Sequence, residues 1–300
     1  MEIPELLSQC KLCPRKCNTD RLKGNLGYCR AGADIKAAKA MLHKWEEPII
    51  SGGNGSGAVF FSGCNLSCVF CQNFDISQQD KGKIITSEQL ADIFLKLQSQ
   101  GADNINLVSP VQYMPQIVKS LELSKSNGLL IPVIYNSNGY ENKDMLKYLD
   151  GLVDVYLPDI KYYSDKYAIK YSNAPNYFHH ASQGLLEMYR QVGSPEFSGD
   201  LIKRGLMIRH LLLPGQLSES RIILDWIADN LPHDIYISLM CQYVPMHRAG
   251  EFPEINKKVS QKSYDWLVDY CLSLGLVNGF IQDMDSADNI YTPEFDFEGI

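Results

Sequence analysis

Cys64, Cys68 and Cys71 lie within Gly63-Cys64-Asn65-Leu66-Ser67-Cys68-Val69-Phe70-Cys71-Gln72-Asn73, at Cys-x3-Cys-x2-Cys spacing, directly after the strand-like run Ala58-Val59-Phe60-Phe61. A loop this short turns three sulfurs toward one point. A mononuclear zinc site closes with four protein ligands, or keeps His or carboxylate ligands beside an open position. Three thiolates with no local fourth ligand suit a 4Fe–4S cube, which four cysteines normally hold. One iron is then left free to bind something else.

A second block precedes it. Cys10, Cys13, Cys17 and Cys29 are spaced Cys-x2-Cys-x3-Cys-x11-Cys, with few long apolar side chains between them. Such a segment cannot build a core alone, and metal ligation would supply the missing folding energy. Two occupants stay open, a structural zinc or a second, coordinatively closed iron–sulfur cluster. Seven of the nine cysteines fall in these two blocks, while Cys241 and Cys271 stand alone. In a reducing compartment they are not disulfides.

The elements that must position these residues are read from periodicity. Ile35 to Ile50 reads as a β-rich bridge, and the glycine-rich run 51–57 as a turn into the first barrel strand. That run lacks the Lys-Ser/Thr of a phosphate-binding loop. Thr86 and Gln89 form a capping-box pattern ahead of a helix. Strands are expected at 104–108, 131–135, 153–157, 206–212 and 235–239, and helices at 114–126, 143–149, 218–230 and 260–274. The excursion from Lys161 to Arg204 is given one helix, His180 to Val192. About six βα units with short connections imply a parallel sheet with right-handed crossovers. The fold expected is α/β, a partial (β/α)6 TIM-like barrel (51–300) with a cysteine-rich N-terminal metal-binding extension (1–50). In such barrels the loops after the strands form the active face.

Bulk properties narrow the class. Net charge is −7 and hydrophobic content is 45% over 300 residues, so nucleic acid and anionic membrane are not expected partners. The start has no signal-peptide pattern, and no apolar run is long enough for a membrane span. A cytoplasmic location is expected.

The cysteine loop at a strand end resembles the signature of the radical S-adenosylmethionine (radical SAM) superfamily, and the chain is similar to homologues of the pyruvate formate-lyase activating enzyme. Trp45-Glu46-Glu47-Pro48, Ile134-Tyr135-Asn136-Ser137-Asn138-Gly139-Tyr140-Glu141, Leu157-Pro158-Asp159-Ile160-Lys161 and Ile208-Arg209-His210-Leu211-Leu212-Leu213-Pro214-Gly215 carry the likeness with the cysteine blocks. The resemblance implies a 4Fe–4S cluster on Cys64, Cys68 and Cys71 and S-adenosylmethionine as cofactor. It implies reductive cleavage to a 5′-deoxyadenosyl radical that abstracts hydrogen from a substrate, and an electron donor such as flavodoxin or ferredoxin. Asp159 and Lys161 match an Asp-x-Lys near the cofactor, or are a surface ion pair. Arg209 would meet the cofactor's anionic or ribose side, or form an internal salt bridge. Asn136 and Asn138 would hydrogen-bond the cofactor or form an Asx turn. His247 resembles a late histidine near the adenosine. Where the superfamily often has Gly-Gly-Glu to receive the cofactor's amino group, this chain has Leu107-Val108-Ser109-Pro110-Val111-Gln112, leaving Ser109 and main-chain carbonyls for that contact.

A protein substrate is expected, with glycyl-radical activation as one form of it. The tyrosines at 156, 162, 163, 167, 171 and 177 would serve recognition or pack beside the barrel. Radical modification of another protein, a peptide or a metabolite is an alternative. A zinc-dependent binding module without catalysis is another, but it has no need of a six-unit barrel.

Overall fold

The computed structural model describes residues 3–283 and 293–300. The elements in order are α1 (Ile3–Ser8), β1 (Ile35–His43), α2 (Pro48–Ser51), β2 (Ser56–Phe61), α3 (Phe74–Ser77), β3 (Lys83–Ile85), α4 (Ser87–Ser99), β4 (Ile105–Val108) and α5 (Met114–Ser126). They continue with β5 (Val133–Ser137), α6 (Lys143–Leu146), β6 (Val155–Pro158), α7 (Asp165–Ser172), α8 (Tyr177–Val192), β7 (Glu196–Ser198), β8 (Leu201–Leu211), α9 (Leu217–Asn230), β9 (Tyr236–Met240), α10 (Gln261–Ser273) and β10 (Gly279–Ile281).

One sheet runs β10-β9-β8-β6-β5-β4-β2-β1-β3, with β7 hairpinned onto β8. From β2 to β10 neighbouring strands are parallel. At the other end β1 runs antiparallel to both β2 and β3. The sheet curls into an open barrel, and its end strands β3 and β10 do not pair. Apart from β10, which is mostly exposed, the parallel strands are buried along much of their length, as βα crossovers dictate, with residues of one parity facing the interior. Ala58, Phe60, Ile76 and Val108 pack together there.

Sequence signals explain most elements. The Thr86 hydroxyl accepts from the Gln89 amide and the Gln89 side chain accepts from the Thr86 amide, closing the capping box that starts α4. Leu90, Ile93, Phe94 and Leu97 then fall on its buried face, at the helical period. Pro115 opens α5 at a position where no amide donor is needed.

Several expectations change. The strand preceding the cysteine loop is not the sheet's first, because β1, half of the expected bridge, zips against it. The sheet therefore continues across residue 50. Within that expected bridge, Pro48 starts α2 in the barrel floor, where Ile50 packs on Ile134, Val155 and Met207. The excursion holds two helices, α7 and α8, and a hairpin. Helix α7 escapes the sequence reading because eight residues are too few to show a period. Among the described residues ahead of β1 there are a short helix and a single 3-10 turn at Arg21–Lys23, and no strand. Among the described residues no helix is long and apolar enough to cross a membrane.

Candidate functional site

The triple-cysteine loop leaves β2 at the carboxyl ends of the parallel strands. Gly63 turns the chain with φ of 82°, and a Cβ there would run into the carbonyl oxygen of Cys29. Three backbone bonds then fix the loop: Ser67 N–H to the Ser172 carbonyl (3.1 Å), Val69 N–H to that of Tyr171 (2.8 Å) and Arg248 N–H to that of Val69 (2.8 Å). Asn65 is fully buried and ties the loop to the turn after β5, donating to the Tyr140 carbonyl at 2.7 Å.

Cys64, Cys68 and Cys71 share the wall of one cavity of about 280 Å³. Each sulfur meets a polar hydrogen. Asn138 Nδ2 and the Leu66 amide donate to Cys64 Sγ at 3.3 and 3.4 Å. The Ser172 hydroxyl donates to Cys68 Sγ at 3.0 Å, and Cys71 Sγ lies 3.2 Å from the Ser77 hydroxyl. Burial raises all three thiols above the ordinary range, Cys71 to about 11. Three acids crowded in one buried wall need a cation to become thiolates together, and donors aimed at sulfur are what tune an iron–sulfur centre. Among the described residues no group of three or more His, Cys, Asp and Glu is drawn together tightly enough to hold a single ion as it stands. That holds for both cysteine sets alike; at the loop, three thiols with a polar partner at each sulfur and no fourth protein ligand suit a 4Fe–4S cube with one iron left open. The residues present fit a cluster.

Opposite the sulfurs are the expected polar groups. Asp159 and Lys161, at the end of β6, form an ion pair with only 21% and 15% of their side chains exposed, so it is no surface pair. Burial opposes the Lys161 charge, but Asp159 and then Cys68 outweigh it and raise its pKa. Gly139, with φ of 76°, lets the turn after β5 press against the Asp159 carbonyl. Asn138 closes an Asx turn by accepting from the Tyr140 amide at 2.9 Å while its amide reaches Asn65 and Cys64. The turn and the site contact thus coexist. Asn136 and Ser109 also line the cavity. Ser109 has φ of 58°, a left-handed conformation uncommon for serine and concentrated at functional sites. Its carbonyl accepts from Gln112 Nε2 at 2.7 Å.

Arg209 lines the cavity too, but its guanidinium is engaged. It pairs with Glu47 through two nitrogens and with Glu46 through one of them, all with side chains at most 13% exposed. Asn106 Nδ2 donates to Glu46 Oε1 at 2.9 Å. The internal salt bridge is the arrangement found, and its two carboxylates come from the Trp-Glu-Glu-Pro segment. Sequence reasoning quoted that segment without assigning it a partner; two adjacent acids about to enter a barrel were the available signal. His247 is exposed, stacks on Phe74 with ring centroids 3.7 Å apart, and does not line the cavity. Cys241 and Cys271 are buried.

The four N-terminal cysteines gather behind the loop. Cys10, Cys13 and Cys29 are buried and Cys17 is exposed. Arg15 Nε donates to the Asn65 carbonyl at 2.9 Å, and the Tyr28 and Ser67 hydroxyls are 2.8 Å apart. Neither contact was visible in the sequence, nor were the sulfur donors Ser77 and Ser172.

The family model of the Radical SAM superfamily matches residues 58–226. The uncharacterized protein MJ0674 of Methanocaldococcus jannaschii is 30% identical over 278 residues, which is 87% of this chain and 73% of that protein. MJ0808 of the same organism is 26% identical over 180 residues, and the match spans 53% of this chain and about half of that relative, 51%. Among solved structures, Streptococcus suis SuiB bound to the precursor peptide SuiA matches with a TM-score of 0.50 at 12% identity, over 75% of this chain and 48% of SuiB. That likeness is one of fold. The family match takes in more than half of the chain, with the three-cysteine loop inside it, and the chain belongs to the radical SAM superfamily.

Proposed function

We propose that this radical SAM enzyme acts on a peptide or protein, with Cys64, Cys68 and Cys71 holding the 4Fe–4S cluster and the adjoining cavity receiving S-adenosylmethionine. The observation that carries the reading is the placement of all three sulfurs, each with a hydrogen-bond donor, on a cavity that also exposes Asp159, Lys161, Asn136 and Ser109. When bound, the cluster and S-adenosylmethionine together supply a 5′-deoxyadenosyl radical that removes hydrogen from a substrate.

The protein's part is binding and orientation. Asn138, Ser172 and Ser77 hold the sulfurs in place and disperse their charge. Lys161 sets a fixed positive charge near Cys68 and Cys71, and Asp159 keeps it in position. Apolar Phe70, Val108, Leu211 and Met240 in the same wall limit water, which shields a radical from quenching. Ser109, in its strained conformation, stands where a carboxylate motif is absent and presents a hydroxyl to the cofactor's amino group. Arg209 acts from the floor as a fixed charge locked by Glu46 and Glu47.

A peptide or protein substrate is supported by a fold neighbour solved with a precursor peptide. Activation of a glycyl-radical enzyme is a narrower form of this reading, and a flavodoxin or ferredoxin would deliver the electron. Cys10, Cys13, Cys17 and Cys29 are read as a second metal site, zinc or iron–sulfur. The test is anaerobic reconstitution with iron, sulfide, S-adenosylmethionine and a strong reductant. 5′-Deoxyadenosine is expected, and its absence with the loop cluster present overturns the enzyme reading. Deuterium passing from a labelled peptide into 5′-deoxyadenosine would establish the substrate class.

A further inference from the structure

The N-terminal module contains a charge that its own residues do not balance. Arg21 is 2% exposed. Its guanidinium donates to the Gln112 carbonyl at 2.6 Å and to Cys29 Sγ at 3.4 Å, while Nε has no partner. Among the described residues it makes no ion pair with a carboxylate. The acid its guanidinium reaches is the Cys29 thiol. A guanidinium does not deprotonate, and an unpaired buried charge is strongly unfavourable. The compensating anion must therefore come from sulfur.

As ligands of one metal core all four sulfurs would be thiolates, four negative charges on residues of which three are buried. A dicationic core, whether one zinc ion or a 4Fe–4S unit, reduces the four charges to two, and Arg21 reduces them to one. The backbone is built for such a core. Lys16, Asn18 and Arg30 all adopt left-handed φ, at 41°, 53° and 63°, a strain that persists only where the surroundings over-determine it. The backbone at Gly27 passes so close that a Cβ would stand 3.3 Å from Arg21 and from Cys29 Sγ, and 3.6 Å from Cys17 Sγ.

The same residues bear on the radical site. Cys29 presents its carbonyl to Gly63, and Arg15 holds Asn65. Arg21 holds Gln112, whose amide donates to the Ser62 and Gly63 carbonyls, both at 3.1 Å. Tyr28 meets Ser67. Asn65 accepts from Asn138, which donates to Cys64.

We propose that Cys10, Cys13, Cys17 and Cys29 ligate a metal core whose built-in counter-charge is Arg21, and that the loaded module braces the triple-cysteine loop. The brace rests on reading that loop as the radical site; the metal centre does not.

The experiment uses the full chain, purified anaerobically, with iron, zinc and sulfide counted per chain and S-adenosylmethionine affinity measured by equilibrium dialysis. A Cys64→Ala/Cys68→Ala/Cys71→Ala variant is expected to keep about one zinc, or about four irons with sulfide, and that count names the core. A folded triple variant holding neither overturns the metal centre. Arg21→Gln is expected to weaken metal retention about 10- to 100-fold, the usual effect of losing an outer partner, with partial recovery in Arg21→Lys; unchanged retention overturns the role of Arg21. A Cys10→Ser/Cys13→Ser variant should lose the N-terminal metal and bind S-adenosylmethionine at least about tenfold more weakly. If that variant does not fold, Arg21→Gln stripped by a chelator gives the same reading. Affinity and loop iron equal to wild type overturn the brace. N-terminal metal in wild type with no iron on the loop supports the metal centre and overturns the radical reading instead.

Discussion

Two cysteine sites share one wall of this molecule and differ in what surrounds their sulfurs. The N-terminal set has four cysteines, three of them buried, a buried arginine and tight turns. The barrel loop has three cysteines, a donor for each sulfur and a cavity of about 280 Å³ beyond them. Coordination number and open space go together: four ligands finish a metal, three leave chemistry to be done. The four-cysteine set lies behind the three-cysteine one, in contact through Gly63, Asn65 and Ser67, so rigidity is supplied where reactivity is not.

The sharpest break between the two is removal of the loop sulfurs. Cys64→Ala/Cys68→Ala/Cys71→Ala should abolish 5′-deoxyadenosine formation completely, measured by chromatography after reduction, and reduce iron by about four per chain. Loss of all metal from that variant would mean the two sites are one cooperative unit.

Gly63 is the joint. Alanine there must hold a left-handed φ and displace the Cys29 carbonyl, which costs on the order of 3 kcal/mol. Denaturant unfolding should show that loss, and metal counts should fall at both sites together. A fall at the loop alone would place the joint elsewhere.

How much of this was legible beforehand depends on sequence distance. Helix α4 announced itself through Thr86 and Gln89, three residues apart, and the cysteine spacings through seven residues of one loop. The parallel order followed from alternating patterns. The antiparallel pairing of β1 with β2 was hidden because a buried strand looks the same on either side of a turn. The Arg209 clasp joins residues 162 and 163 apart, and Ser172 reaches Cys68 across 104. No periodicity encodes such meetings; only the folded sheet brings them together. Arg21 was passed over because an arginine is usually at the surface, and nothing local said otherwise.

Arg209 separates site architecture from chemistry. Arg209→Gln leaves Glu46 and Glu47 in the barrel floor without their cation, at a cost of about 3–5 kcal/mol at neutral pH. The pH dependence has a definite sign. Burial pushes the Glu47 carboxyl up, but Arg209 outweighs it and holds it below the ordinary range. A carboxylate with a depressed folded pKa stabilises fully above its unfolded value of about 4.3, and that stability is lost as pH falls through the folded value. Wild type should therefore lose stability on acidification below about pH 4, and the gap to Arg209→Gln should narrow over the same range. Urea titrations of both proteins at pH 7 and pH 3.5 would check this, and a gap independent of pH would remove Glu47 from the account.

The smallest effect tests whether the open site is tuned and not merely assembled. Asn138→Ala removes the side-chain donor to Cys64 Sγ and to Asn65 Oδ1 and the acceptor that closes the Asx turn at Tyr140, while the Leu66 amide still donates to that sulfur. The three lost hydrogen bonds cost about 2–3 kcal/mol of stability, with the cluster retained. A sulfur with fewer donors holds its negative charge less comfortably, so the reduced state is disfavoured and the loop centre's potential should move to a more negative value. Redox titration followed by electron paramagnetic resonance would read it. If the N-terminal cysteines hold an iron–sulfur cluster, it is the internal control, because Asn138 donates to Cys64 and Asn65 and to none of the four N-terminal sulfurs. A shift confined to the loop confirms that its sulfurs are individually adjusted; an equal shift in both, or none, would reduce Asn138 to the residue that closes its turn.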